Sequence, residues 1–290
     1  LRCRFAPSPT GFLHIGHAFS AWFAEEQAKT SGGSFVLRLE DIDQTRCRPE
    51  FETALYDDLH WLGLDWPHPV RRQSDHFAEY QTVLSRLEEM GLIYKCFCTR
   101  KDIQEEIARS PSAPHGPEGH LYPGLCRSMS SSEAADLISK GEPYALRLDM
   151  QKALHHTGPL RWHDRAAGWQ DAQPALLGDV VLARKDTPAS YHLCVTWDDA
   201  LQDISLVTRG QDLFYATHLH RLLQALLDLP TPEYHHHPLL VDSEGKRFAK
   251  RNKGVTLRDL QARGVDSVQL RQDLLSSGGR FDIQKAFLQD

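Results

Sequence analysis

Two hydrophobic periods alternate along this chain. Residues 2–6 and 34–39 have the character of short buried strands, and between them residues 18–29 repeat their apolar positions at helical spacing. Together they predict a strand-helix-strand unit. Residues 49–62 predict a second helix, because Pro49 suits a first helical position and Leu55, Leu59 and Leu62 recur on one face. A third helix is predicted over residues 75–90, closed by Gly91.

The character changes between Tyr94 and about Gly178. This stretch holds Cys96-Phe-Cys98, a loop rich in Pro, Gly, Ser and His over 110–124, a helical piece at 133–140 and a strand-like piece at 144–148. It reads as an insertion with its own small fold. Alternation then resumes with strand-like segments at 179–184, 191–195 and 204–209, a long helix at 213–227 and a strand at 234–241. The expectation is an α/β fold with one doubly wound parallel sheet. Its halves are residues 1–93 and 179–250, split by an inserted subdomain at 94–178 and followed by a short helical extension at 251–290. Ligands of such sheets sit beyond the carboxyl ends of the strands, where Ala6, Glu40, Arg209 and Asp242 would fall.

Composition narrows the class. The chain has 290 residues and a net charge of -6, so a surface that attracts nucleic acid all over is excluded, while a local patch is not. Such a patch is offered by Lys246, Arg247, Lys250, Arg251, Lys253, Arg258 and Arg263 against the single acid Asp259; its plain alternative is a solvated face. With neither an apolar run of membrane-spanning length nor a secretory pattern at the N-terminus, the expected place is the cytoplasm, with no membrane partner. Leu1 is not an initiator methionine, so a short preceding piece is expected. Of the six cysteines, Cys96, Cys98 and Cys126 group together, which in a cytosolic chain suggests metal or free thiols before disulfides; Cys3, Cys47 and Cys194 have no partners suggested and read as buried thiols.

The candidate chemistry concentrates in Phe5-Ala6-Pro7-Ser8-Pro9-Thr10-Gly11-Phe12-Leu13-His14-Ile15-Gly16-His17. A strand, a tight loop and a helix start would bring backbone N–H groups and a helix dipole toward a phosphate, with His14 and His17 as added donors. Glu40-Asp41-Ile42-Asp43 follows a strand directly, so a carboxylate should reach the ligand edge. Arg4 lies in the first strand, and Arg209 ends another, suited to gripping a carboxylate or phosphate or else to a salt bridge with Asp212. Tyr191 reads either as a ligand contact or as a core tyrosine. Lys250 lies in a glycine-containing basic loop that could close over phosphates.

These residues, in this order, resemble the glutamate branch of the class I aminoacyl-tRNA synthetases, and the resemblance spans nearly the whole chain. His14-Ile15-Gly16-His17 fits the HIGH signature of that superfamily; the KMSKS counterpart is less faithful, with Arg247 where a first lysine is expected and Lys250 at the second. The resemblance implies a split Rossmann-type catalytic domain that forms glutamyl-adenylate from L-glutamate and ATP, with Mg2+. His14, Gly16, His17 and Lys250 would contact ATP, with His14, His17 and Lys250 catalytic. Arg4 and Arg209 would grip the carboxylates of glutamate, Glu40 and Tyr191 its ammonium, and Phe5, Ala6, Pro7 and Ser8 would line the amino-acid site.

Only about forty residues follow Lys250, too few for the anticodon-binding domains of a full glutamyl-tRNA or glutaminyl-tRNA synthetase. The resemblance is therefore to a short subfamily, expected to be monomeric, that attaches glutamate to the queuosine base in the anticodon of tRNA(Asp). That subfamily binds one zinc ion through three cysteines and a tyrosine, matched here by Cys96, Cys98, Cys126 and Tyr122, with His120 or water as alternative fourth ligands. Three alternatives remain: a glutamyl-tRNA synthetase charging a tRNA 3' end, a small-molecule nucleotidyltransferase with a HIGH-type loop, and a non-catalytic tRNA-binding relic.

Overall fold

The computed structural model describes residues 1–109, 115–117, 119–241 and 255–281, His115 by its backbone alone. Strand β1 (Arg2–Phe5), helix α1 (Ile15–Thr30) and strand β2 (Ser34–Leu39) form the expected strand-helix-strand unit, the two strands parallel with Phe5 opposite Leu37. Helix α2 (Pro49–Trp61) leads to β3 (Arg71–Arg72), which pairs in parallel with β2. Then follow α3 (Phe77–Glu89), β4 (Ile93–Cys96), α4 (Arg100–Arg109), the short hairpin β5 (His115–Gly116) and β6 (Gly119–His120), α5 (Ser131–Ser139), β7 (Ala145–Leu148) and α6 (Met150–Thr157). The chain continues through β8 (Arg161–Asp164), β9 (Gly168–Asp171), β10 (Val181–Ala183), α7 (Tyr191–Leu201), β11 (Leu206–Gly210), α8 (Ala216–Leu226) and β12 (Glu233–His237). Two further helices, α9 (Leu257–Ala262) and α10 (Ser267–Ser276), follow.

The central sheet is parallel around β1 and β11. β11 pairs with β12 from Leu206 opposite Glu233 to Gly210 opposite His237, and β1 lies alongside β11, where the Ser205 N–H donates to the Arg2 carbonyl at 3.1 Å. The spatial order is β3-β2-β1-β11-β12-β8-β9. Strand order thus runs outward in both directions from the β1/β11 junction, and a crevice opens beyond the carboxyl ends of these strands.

Pairing crosses the expected boundaries in both directions. β8, inside the stretch 94–178, joins the central sheet through Tyr234 opposite Asp164 and carries β9 as an antiparallel edge. β10, which falls in the stretch 179–184, instead pairs antiparallel with β7, and β7 with β4, in a separate small sheet. A two-to-four-residue strand carries no mark of its partner, so only the folded chain decides this. The strand expected at 191–195 is helical. Ser190 caps α7 by accepting the Leu193 N–H, and the apolar run Leu193-Cys194-Val195 is the buried side of that helix.

The helical extension is part of the main core. Leu257, Leu260, Leu270 and Leu274 are fully buried in the same cluster as Phe19 and Trp22 of α1, and Arg271 bridges Glu25 at 2.7 Å and Glu26 at 2.9 Å. The Leu257 N–H donates to the Leu13 carbonyl at 2.8 Å, and Arg258 lies over the Phe12 ring at 5.3 Å, so α9 holds the loop before α1. Leu274→Ala should lower stability by about 2–5 kcal/mol. In a urea titration followed by circular dichroism this should appear as one transition at a lower midpoint; a separate early transition would mean that the extension folds alone.

Candidate active site

Helix α1 begins with a cap built from two histidines. His14 Nδ1 accepts the Gly16 N–H at 3.0 Å, and His17 Nδ1 accepts the His14 N–H at 3.2 Å, with the rings 3.9 Å apart. A ring nitrogen that accepts carries no proton, so in both residues the proton sits on Nε2. Burial holds both rings in the neutral form: it lowers the pKa of His14, and that of His17 to about 3 with help from His14. The expectation that backbone amides would face a phosphate is modified here. The Gly16 N–H is spent on the His14 ring and the His17 N–H on the His14 carbonyl at 2.9 Å, so these two amides are taken and the imidazole Nε2–H groups are the added donors.

Gly16 is needed for this arrangement. A Cβ there would lie 2.9 Å from His14 Cε1 and 3.1 Å from Nδ1. His14, Gly16 and His17 line a cavity of about 290 Å3 with Ser20, Gly210, Asp212 and His237, at the carboxyl ends of β1, β11 and β12. Lys250 and the neighbouring Lys246, Arg247, Arg251 and Lys253, like Asp242, lie outside the described residues.

A second cavity of about 150 Å3 lies across the same loop and is lined by Ser8, Glu40, Gln73, Arg184, Ser190 and Tyr191. Three of the residues singled out in sequence therefore meet. The Tyr191 hydroxyl is pushed up by burial, while the charges of Arg209 and Arg4 oppose the shift and those of Glu40 and Asp199 add to it, so these groups surround it. Glu40, 8 % exposed, accepts from Arg38 Nη2 at 3.0 Å; burial raises its pKa against the pull of Arg38 and Arg4. Three residues expected to line the amino-acid site, Phe5, Ala6 and Pro7, are not among those lining this cavity. Phe5 packs its ring into the core, and Pro7 is buried with its carbonyl taking the Glu40 N–H at 3.0 Å; Ala6 is half-buried between them.

The two arginines differ. Arg4 is paired with Asp199, Nε to Oδ1 at 2.9 Å and Nη2 to Oδ2 at 3.3 Å, and Nη1 donates to the Thr208 carbonyl at 3.0 Å. For Asp199, burial is outweighed by Arg4 and Arg38, which hold it below the usual carboxylate range. Arg209 has neutral partners: His236, His220 and Thr217 take its Nε, Nη1 and Nη2 donors, and no bridge to Asp212 forms.

Sequence reasoning missed Arg38, Thr217, His220 and His236. A lone arginine inside the apolar run of β2 and a triple histidine inside β12 were the available signals, since charged or polar groups in a buried strand must have partners. Asp198 is fully buried and accepts from Arg71, Gln73 and Tyr80 at 2.8–3.1 Å.

Away from the crevice, the sulfurs of Cys96, Cys98 and Cys126 lie within 4.8 Å of one another, Cys98 and Cys126 at 3.4 Å. Thiolates about 2.3 Å from a tetrahedral metal stand roughly 3.8 Å apart, so the three can hold a metal ion. The Tyr122 hydroxyl lies 3.4 Å from both Cys96 and Cys98 sulfurs, whereas the ring of His120 is not part of the cluster. Cys3, Cys47 and Cys194 are free; Cys3 and Cys194 are buried as expected, whereas Cys47, in the loop before α2, is only half-buried.

A HIGH loop at the switch point of a parallel sheet, between a histidine-lined and an arginine-lined cavity, defines a class I synthetase catalytic core. The chain belongs to the family of class I tRNA synthetases for glutamate and glutamine, whose catalytic-domain model matches residues 1–288. It is 46 % identical over 275 residues to a glutamyl-Q tRNA(Asp) synthetase of Rhodobacter capsulatus, covering 93 % of this chain and 98 % of that one. A second protein of that name, from Nocardia farcinica, is 41 % identical over 95 % of this chain and 84 % of its own. A glutamate–tRNA ligase of Acidithiobacillus ferrooxidans is 36 % identical over 97 % of this chain, which spans only 58 % of that enzyme. The solved glutamate tRNA ligase of Elizabethkingia meningosepticum, in complex with its amino acid, superposes with a TM-score of 0.70 at 27 % identity, covering 91 % of this chain and 53 % of that one. Among the described residues no helix is long and apolar enough to cross a membrane.

Gly16→Ala should displace the His14 ring and lower the rate of ATP–pyrophosphate exchange while moving the melting temperature little. An unchanged rate would show that the ring position does not matter.

Proposed function

We propose that this protein activates L-glutamate with ATP, without needing tRNA, and transfers the glutamyl group to the queuosine base in the anticodon of tRNA(Asp). The observation that carries the first half is Arg209, a buried guanidinium with neutral partners near Tyr191: a second, anionic partner is called for, and a substrate carboxylate supplies it. A neutral amide would leave that charge unmatched, which favours glutamate over glutamine. The transfer half rests on near-complete mutual coverage with proteins named for it.

In the first step one carboxylate oxygen of glutamate attacks the α-phosphorus of ATP. The bond to the bridging oxygen breaks and pyrophosphate leaves, so most of the catalysis is positioning and charge stabilisation. The Nε2–H groups of His14 and His17 would donate to the phosphates, and Lys250 would neutralise the departing pyrophosphate. Glu40 and Tyr191 would hold the substrate ammonium and Ser8 its polar atoms, with Arg4 a further support for a carboxylate. In the second step a hydroxyl of the queuosine cyclopentene ring attacks the mixed anhydride and releases AMP. The enzyme would act as a monomer in the cytoplasm, with Mg2+ accompanying ATP. Zinc is the ion that best suits three sulfurs and a phenol oxygen at Cys96, Cys98, Cys126 and Tyr122, and its contribution would be structural.

Two measurements test this reading. Glutamate-dependent exchange of pyrophosphate into ATP should occur without tRNA, and labelled glutamate should then appear on tRNA(Asp) only when queuosine is present; glutamate on the 3' adenosine would overturn the modification half. His14→Asn, which keeps a capping acceptor but removes the Nε2–H, should lower exchange by about 10²-fold. Cys98→Ser should abolish bound zinc by elemental analysis and weaken transfer to tRNA while exchange persists; retained zinc would place the metal elsewhere.

A further inference from the structure

Arg209 is 6 % exposed, and among the described residues no carboxylate lies within 4.0 Å of it. Its three nitrogens donate to His236 Nε2 at 3.1 Å, His220 Nδ1 at 3.1 Å and Thr217 Oγ1 at 2.6 Å. Each histidine can accept there only if its proton is on the other nitrogen. Both protons are accounted for. His236 Nδ1 lies 2.7 Å from Asp164 Oδ2, which takes its N–H and leaves Nε2 bare. His220 Nε2 lies 3.0 Å from His192 Nδ1, and the same logic makes His220 the donor and puts the proton of His192 on Nε2.

The anchor of the first arm is well fixed. Asp164 is fully buried; its Oδ1 accepts the N–H groups of Ala166 and Ala167 at 2.9 and 2.8 Å, and its Oδ2 also accepts the His236 N–H at 3.1 Å. All three rings are uncharged near neutral pH. Burial is the main cause, lowering the pKa of His236 and, with Arg209, those of His220 and His192, the last to about 4.

We propose that Asp164, His236, Thr217 and His220 are positioning residues for amino-acid selectivity: they hold Arg209 in place through uncharged acceptors alone, so that its charge is left for a carboxylate of the substrate. This rests on the glutamate reading above. The nearest negative charge in the first arm, Asp164, acts one residue removed, through the ring it orients. Arg4 shows the other arrangement, since it pairs directly with the Asp199 carboxylate through two of its nitrogens. Were a carboxylate to stand in place of Thr217 or His236, Arg209 would be equally well held but neutralised, and a substrate amide would lose little by comparison with an acid.

Asp164→Asn tests the idea at constant shape. Its Oδ1 would keep the two loop amides, so its NH2 would face His236 Nδ1 and turn that nitrogen into an acceptor. The ring proton would move to Nε2, against the Nε–H of Arg209. In tRNA-independent exchange, KM for glutamate should rise about tenfold with kcat and KM for ATP little changed, and the preference in kcat/KM for glutamate over glutamine should shrink by a similar factor. Thr217→Val, which removes one tether without altering shape, should move the same two quantities in the same direction by less, and it decides the matter should Asp164→Asn melt early. Unchanged KM for glutamate and unchanged preference in a folded variant, or a fall in kcat alone, would overturn the inference while leaving the function intact. Absence of glutamate-dependent exchange in the unaltered protein would instead overturn the proposed function.

Discussion

The site is organised by one buried cation. Arg38, fully enclosed in β2, donates to Asp199 at 2.8 Å, Glu40 at 3.0 Å and the Gln202 side chain at 3.0 Å, with Asp198 3.8 Å from its Nε. A guanidinium at that depth is tolerable only with such company, because losing one partner of a buried ionic group costs about 3–5 kcal/mol. Asp198, Asp199 and Gln202 come from α7 and its C-terminal end, far along the chain, so the cluster clamps the first strand-helix-strand unit to the second half of the fold. Arg4 and Arg71 complete it. Three arginines then face four carboxylates, Glu40, Glu79, Asp198 and Asp199. Arg209 stands outside that cluster, held by His236, His220 and Thr217, and among the described residues no carboxylate bonds to it.

The crevice follows from this frame. The HIGH loop leaves β1 at the junction where strand order turns outward on both sides, and it separates the histidine-lined cavity from the arginine-lined one. Two reactants seated in these cavities would meet across the loop. The donors of the histidine-lined cavity are neutral imidazoles whose tautomer is set by the start of α1, so their direction is prepared before any ligand arrives.

Much of this was legible in the chain, and the reasons for the exceptions are specific. His14, His17, Glu40 and Tyr191 could be found because each sits at a position the backbone pattern marks: a helix start, a strand end, a capped turn. The parallel unit around β1 and β2 was visible because a helix of good length separates two apolar runs. The partnerships of β8 and β10 were not, since strands of three or four residues pair by tertiary context. Residues 191–195 misled for a related reason: a short apolar run fits a strand or one side of a helix equally well. The surroundings of Arg209 were hidden because histidine, threonine and aspartate from four separate segments meet only in the folded state. Arg38 left a trace in the form of a charge within an apolar run.

The hydrogen bond from the Leu257 amide to the Leu13 carbonyl bears on where a working unit of this fold ends. By sheet topology alone the catalytic module closes at β12, and a minimal version would be trimmed there. Such a trim would strip the outer brace from the HIGH loop, uncover Phe12 and open the core beneath α1. The smallest competent module therefore extends through α10, and the short helical extension belongs to the catalytic architecture as much as any strand of the sheet.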